Sequence, residues 1–241
     1  MSCLKNILVT GATKGLGRAI VEQLAATGKY RLIGTGRSDR APKDWPDRSE
    51  LIYAQLELGD WKGHHEFINR LKKQYGPLYG IVNNAAIGAD GVLATMHESD
   101  IETVITVNVT GTIVLTKYAV RAMLPRREGR VINISSIIAS TGFNGLSVYG
   151  ASKSALLGFT RSLGRELGRA NITVNSVSPG YMETEMSTGI SKENLERIKK
   201  RSPLGRLVDP EDAAAVVELL LSEAGANLTG IDIKVDAGST I

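Results

Sequence analysis

The chain alternates two hydrophobic periods. Short apolar or β-branched runs recur at Asn6–Thr10, Arg31–Thr35, Leu51–Leu56, Tyr79–Asn83, Val131–Ser136, Ile172–Ser178 and Ile231–Asp236, and each has the length of a strand. Between most of them the period changes to that of a helix. Ile20, Val21 and Leu24 share one face of a segment that Gly28 ends as its C′ residue, and Asp60 opens a helix to about Gln74. Ser99-Asp-Ile-Glu102 reads as a capping box starting a long helix through Val104, Val107, Leu115 and Met123. Another runs from the Tyr149 region through Leu156, Phe159 and Leu163 to about Leu167, and a polar one covers Ser191 to Lys200. Asp209-Pro-Glu-Asp212 caps the last, with Pro210 at the favoured first position. Residues 38–50 are the exception, because Pro42 and Pro46 argue against a regular helix and predict a loop. Strands alternating with helices predict an α/β fold, a mostly parallel sheet covered on both faces.

Composition narrows the class. A chain of 241 residues fits one domain, residues 1–241, and its 42% hydrophobic and 22% charged content is that of an ordinary soluble protein. The net charge of +4 is spread along the sequence without a basic block, which argues against nucleic acid as a partner. Cys3 is the single cysteine, so no intrachain disulfide forms. The Ile7-Leu8-Val9 run is broken at once by Thr10-Gly11, and no apolar run approaches the ~20 residues that span a bilayer. No membrane association and a cytoplasmic location are the expectations.

Candidate chemistry lies where the apolar runs end. The first meets Gly11-Ala-Thr-Lys14-Gly15-Leu-Gly17 and then a helix. In that context the glycines let backbone approach a pyrophosphate, and the helix N-terminus supplies N–H groups and partial positive charge. The second run ends in Gly36-Arg37 with no acidic residue to hold a ribose 2′-hydroxyl; Arg37 and Lys14 instead suit a 2′-phosphate, which favours NADP(H). The fourth runs into Asn83-Asn84-Ala85-Ala86, where small residues permit a flat ligand to approach. Asn108 stands among Ile105, Val107 and Val109, so it is expected to be buried, either as a structural clamp or holding a water in a proton path. Ser136 ends the fifth run at the carboxyl edge where ligands collect in a parallel sheet. Tyr149 and Lys153 are four residues apart on one helix face, which brings an ammonium near a phenol and favours the phenolate. His64 and His65 read as exposed helix residues without a ligand set. The segment from Tyr181 to about Lys200, with 86–96 and 138–148, is expected to cover and line the substrate pocket, Phe143 and Leu146 forming an apolar wall.

In order and spacing, Thr10-Gly11-xxx-Gly15-x-Gly17, Asn83-Asn84-Ala85, Asn108, Ser136, Tyr149-xxx-Lys153 and Pro179-Gly180 resemble the short-chain dehydrogenase/reductases, in their compact single-domain branch, over nearly the whole chain. The resemblance implies a Rossmann-type, doubly wound parallel seven-stranded sheet with helices on both faces. It also implies four catalytic roles. Tyr149 would be the proton donor, and Lys153 would lower its pKa and hold the nicotinamide ribose. Ser136 would hydrogen-bond the substrate carbonyl, and Asn108 would anchor a water relaying protons from Lys153. Cofactor contacts are implied at Gly11, Thr13, Lys14, Gly15, Leu16, Gly17 and Arg37, at Leu58, Asn84, Ala85 and Ala86, and at Tyr149, Lys153, Pro179, Gly180, Met182 and Thr184.

Within the family, Pro203-Leu-Gly-Arg206 and the Ile172 to Gly180 segment look most like 3-oxoacyl-[acyl-carrier-protein] reductases. That likeness implies NADPH-dependent reduction of a ketone to a secondary alcohol, or the reverse, with a 3-oxoacyl thioester as substrate. It also implies a homotetramer formed through the Asn108 and Tyr149 helices, and an acyl carrier protein as candidate partner. Arg127 matches one carrier-gripping position; the second holds Ala170, with Arg169 one place earlier. Other departures are Ala86 where Gly is usual, Tyr79 where Asp is common, and Asp236-Ala237-Gly238 where a double glycine is common. An NADP-linked dehydrogenase of a sugar, steroid or cyclic diol stays open, as does a non-catalytic NADP-binding sensor or scaffold.

Overall fold

The computed structural model describes residues 4–182 and 192–241. Seven apolar runs form seven parallel strands: β1 (Lys5–Val9), β2 (Tyr30–Gly36), β3 (Leu51–Gln55), β4 (Leu78–Asn83), β5 (Gly129–Ile134), β6 (Ile172–Pro179) and β7 (Asp232–Val235). They pair in the order β3-β2-β1-β4-β5-β6-β7. The order reverses between β1 and β4, and such a switch point opens a crevice beyond the strand ends.

Helices cover both faces. α1 (Gly15–Ala26) and α8 (Pro210–Leu221) lie on one; α2 (His64–Tyr75), α4 (Thr112–Met123) and α6 (Ser147–Leu167) lie on the other. Strand alternation feeds both cores: Ile7 and Val9 join Ile20, Leu24, Val217 and Leu220, whereas Leu8 joins Phe67, Leu71, Leu115 and Met123. The remaining helices are α3 (Glu98–Ile105), the short α5 (Ile138–Thr141) and α7 (Lys192–Arg201). The helical run Glu98–Arg126 is long and apolar enough by composition to cross a membrane, and 44% of its most apolar window is buried inside the fold.

Three expectations need correction. The predicted capping box at Ser99 is not the helix start. α3 begins at Glu98 after an extended His97, so Ser99 sits inside the first turn, where its carbonyl accepts the Thr103 hydroxyl at 2.6 Å. Glu98 and Asp100 favour that terminus by charge instead. The predicted single helix is also divided, since Thr106–Gly111 forms one wide π turn between α3 and α4. Finally, His64 is fully buried rather than exposed. A tight turn at Trp61–Gly63 sets the phase of α2 so that His64, Phe67, Ile68 and Leu71 make its inner stripe. Burial holds the His64 imidazole below its ordinary value, against the opposing pull of the Glu57 backbone and the Asp60 carboxylate.

The predicted cap at Asp209 does form, its N–H donating to Asp212 Oδ2 at 3.3 Å. Residues 38–50 contain no helix, as the prolines imply. Trp45 packs against the core there, filling the space beside Gly34 where a Cβ would stand 2.5 Å from its ring.

Candidate active site

A cleft of about 540 Å³ opens at the switch point, along the carboxyl ends of the strands. The glycine turn forms its floor. Gly11 has a φ of +64°, and a Cβ on Gly17 would stand 2.1 Å from the Gly11 carbonyl oxygen, so neither position accepts a larger residue. The turn is tied to the end of β4. Asn84 Nδ2 donates to the carbonyls of Thr10 (2.9 Å) and Gly11 (3.1 Å), and the buried Thr10 hydroxyl accepts the N–H groups of Asn84 and Ala85, both at 3.0 Å. Sequence reasoning placed Thr10 in the motif without a role; its hydroxyl joins the two strand ends that flank the cleft.

No side chain caps α1 at Lys14, and the first turn holds no carboxylate. That terminus presents N–H groups and partial positive charge to the cleft, as an anionic diphosphate requires. Thr13, Lys14, Gly15, Leu16 and Arg37 line the same end, with Leu58 beside them. Ala85, Ala86, Pro179, Gly180 and Met182 complete its lining. The cleft therefore fits a dinucleotide with a cationic end. Thr184 and residues 183–191 of the expected covering segment fall outside the described residues.

Three predicted catalytic side chains meet in this wall. The sixth helix carries Tyr149 and Lys153 on one face, and β5 delivers Ser136 just past its end. Lys153 is buried, its Nζ donating to the Ile134 carbonyl at 2.8 Å and lying 5.7 Å from the Tyr149 ring centroid. Burial pushes the Lys153 ammonium down from 10.5 to about 8. Burial pushes the Tyr149 phenol up; its hydrogen bond with the Ser136 hydroxyl pulls it down, and the Asp90 carboxylate pushes it up. Ser136 thus draws the phenol toward its ionised form, while the nearby Lys153 ammonium faces the Ile134 carbonyl.

Asn108 stands apart from the cleft lining. It is buried in the π turn, where its Oδ1 accepts the Ile87 N–H at 2.9 Å and its Nδ2 donates to the Ile87 carbonyl (2.8 Å) and the Ser152 hydroxyl (3.1 Å). Both amide hydrogens are used, so the side chain acts as a clamp between these segments. It ties the segment after β4 to α6, because Ser152 in turn donates to the Tyr149 carbonyl at 2.7 Å. Ser135 adds a second tie, donating to the Lys153 carbonyl at 3.0 Å. Behind them, Asn83 donates to Thr116 and Asn133, and Asn133 to Thr160, all at 2.8 Å, which bolts α4 and α6 to the sheet. Gly111 ends the π turn; a Cβ there would stand 2.1 Å from the Leu58 carbonyl oxygen. That close approach sets the position of Leu58 in the cleft wall.

Comparison with known proteins agrees with this geometry. Residues 11–240 match the family model described as enoyl-(acyl carrier protein) reductase. The 3-oxoacyl-[acyl-carrier-protein] reductase of Aquifex aeolicus is 40% identical over 240 residues, covering 97% of this chain and 96% of that protein. Its counterpart from Escherichia coli is 35% identical over 236 residues, with the same coverage of 97% and 96%. The solved structure of ElxO with NADP bound superposes with a TM-score of 0.91 at 30% identity, covering 98% of each chain. A switch-point cleft floored by a glycine turn, a Tyr149–Lys153 pair beside Ser136, and full-length likeness at this level establish that the chain belongs to the short-chain dehydrogenase/reductase family.

Proposed function

We propose that this chain is an NADPH-dependent reductase that converts the ketone of a 3-oxoacyl thioester to a secondary alcohol. The observation that carries the reading is the half-buried Tyr149 phenol set beside the Ser136 hydroxyl and Lys153 in the wall of a dinucleotide-sized cleft. NADPH supplies the hydride when bound. The Tyr149 hydroxyl holds the proton that the product alkoxide needs, and burial keeps it protonated at neutral pH. The Ser136 hydroxyl sits beside it to orient a carbonyl oxygen. Lys153, held at about 8, lies close enough to neutrality to take part in returning a proton to Tyr149. Gly11, Gly15, Gly17 and the uncapped α1 terminus would hold the pyrophosphate, and Lys14 with Arg37 the 2′-phosphate.

The relatives' names support the acyl thioester, and two surface features suit it. Val92 (59% exposed), Leu93 (56%) and Phe143 (57%) sit on segments joined by a 3.0 Å hydrogen bond from Gly91 N–H to the Gly145 carbonyl, an apolar rim for an acyl chain. Arg127, in a left-handed conformation, donates to the Arg169 carbonyl, so the two arginines lie together despite the one-place shift in sequence, and they suit an acidic carrier. The subunits are proposed to pair through α4 and α6 as a homotetramer, which light scattering tests.

The decisive assay is NADPH oxidation with 3-oxoacyl thioesters on carrier and on coenzyme A, enoyl thioesters, small ketones and cyclic diketones. Turnover of 3-oxoacyl thioesters is expected. Turnover confined to enoyl thioesters would replace the reading with carbon–carbon double-bond reduction, the chemistry named by the matching family model. Oxidation confined to a sugar, steroid or diol with NADP would favour a dehydrogenase. NADPH binding without turnover of any substrate would leave a sensor or scaffold.

A further inference from the structure

The β2–β3 connection has lost its crossover helix, yet it carries Arg37. A helix-less connection of this length is ordinarily mobile, and a mobile guanidinium costs entropy to order on a ligand. Here the connection is anchored at three places. Tyr53 and Gln55 alternate along β3 and so project from the same face. Tyr53 Oη donates to the Ser38 carbonyl at 2.7 Å and Gln55 Nε2 to the Arg37 carbonyl at 2.9 Å, so two successive peptide groups are tied. The facing residues on β2 are Gly34 and Gly36, paired with Tyr53 and Gln55. Their missing side chains leave the room that the aromatic rings take. A Cβ at Gly36 would stand 2.8 Å from Tyr53 Oη and 2.6 Å from Thr13 Cγ2.

The third anchor is Trp45. Its ring meets Tyr53 edge to face at 5.7 Å and 72°. Arg18 stacks over Trp45 at 5.5 Å while its Nη2 donates to the Asp44 carbonyl at 2.6 Å, which fastens the loop back to α1. Arg37 lines the same cleft as Thr13 of the glycine turn.

We propose that Tyr53 and Gln55 are positioning residues for coenzyme selectivity: they fix the Arg37–Ser38 backbone so that the Arg37 guanidinium is preorganised for a 2′-phosphate. The inference rests on the NADP(H) reading above. Neither residue need touch the coenzyme, and their effect is confined to the coenzyme that carries the extra phosphate.

Calorimetric titration of ligand-free protein with NADPH and with NADH tests this in Tyr53→Phe, Gln55→Ala, Arg37→Ala and the Arg37→Ala/Tyr53→Phe pair. Tyr53→Phe keeps the ring against Trp45 and removes only the donor. NADPH binding is expected to weaken about 3- to 10-fold, with NADH binding unchanged. KM for NADPH is expected to rise while kcat holds, and the effect should vanish in the Arg37→Ala background. Equal weakening of both coenzymes, no weakening of either, or an effect that persists without Arg37 would overturn the proposal. Should Tyr53→Phe lower the thermal midpoint substantially, the exposed Gln55→Ala variant carries the same test with the same outcomes. An Arg37→Ala protein that binds NADPH as tightly as wild type is a separate failure, since it removes the phosphate site itself.

Discussion

Replacing Lys153 by Met isolates the electrostatic cost of the active site. The side chain is fully buried, and its ammonium is held down from 10.5 to about 8 by loss of solvent. At about 1.4 kcal/mol per pH unit this displacement corresponds to on the order of 3 kcal/mol of destabilisation when the residue is charged in both states. The sign follows from proton counts. Between about 8 and 10.5 the unfolded chain keeps the proton and the folded chain has released it, so the unfolded state binds more protons and native stability rises with pH. Below about 8 the full penalty is present; above 10.5 it is gone. Methionine has the length to fill the site and nothing to titrate. Urea unfolding of ligand-free wild type and Lys153→Met, at matched protomer concentration and at pH 7, 8, 9 and 10, therefore gives a difference curve. Wild type should gain about 2 to 3 kcal/mol on the variant between pH 7 and 10, nearly all of it above pH 8. The bond to the Ile134 carbonyl shifts the whole curve without changing its slope. A flat difference, or one falling with pH, would refute a desolvated lysine and with it a proton source poised near neutrality.

Other outcomes follow from single contacts. Tyr149→Phe should cost about 10²- to 10⁴-fold in kcat for NADPH-dependent ketone reduction while NADPH binding and the thermal midpoint stay close to wild type; unchanged turnover would move the proton donor elsewhere. Gly111→Ala inserts a methyl 2.1 Å from the Leu58 carbonyl oxygen, so a loss of about 1–3 kcal/mol in chemical denaturation and weaker coenzyme binding are expected. Retention of both would mean that the turn at Leu58 yields freely. Ala237 holds a φ of 52° within Asp236-Ala237-Gly238. Ala237→Gly should stabilise by about 0.5–1 kcal/mol, read as a thermal midpoint higher by about 2–4 °C; a lower midpoint would contradict the strain.

The elements that came directly from the sequence are those whose hydrophobic pattern is local. The five inner strands are nearly continuous buried runs, as parallel strands covered on both faces must be, and the partly buried edge strands β3 and β7 keep the same apolar composition, so β1 to β7 can be read to within a few residues. The glycine turn and the Tyr149–Lys153 pair were equally plain, because spacing along one element decides where those side chains point. What escaped depends on contacts between elements. The π turn at Asn108 leaves no mark on the periodicity; only Gly111, small where a helix meets the Leu58 backbone, hints at it. His64 was misassigned although its i, i+3, i+4, i+7 partners Phe67, Ile68 and Leu71 were in view, because histidine weighs as polar in a pattern that burial treats as apolar. Trp45 lay in a proline-broken loop with no period at all, and only the bare Gly34 and Gly36 of β2 explain why that loop is ordered.

These two kinds of contact divide the site by consequence. At the reaction end, Asn108, Ser135, Ser152 and Lys153 are buried and hydrogen-bonded: Asn108 to the Ile87 backbone and the Ser152 hydroxyl, Ser135 to the Lys153 carbonyl, Ser152 to the Tyr149 carbonyl and Lys153 to the Ile134 carbonyl. A change there strands a buried polar partner, so it costs folding free energy as well as rate. At the phosphate end, Arg37 and Gln55 are exposed and Tyr53 is only half-buried, and the carbonyls they leave behind can turn to water. A change there costs ordering of a ligand contact and little else. Substitutions at 37, 53 and 55 should therefore separate in coenzyme affinity at nearly constant stability. Those at 108, 135 and 152 should move stability and turnover together, with Tyr149 the reaction-end residue where chemistry can be removed while the fold stays intact.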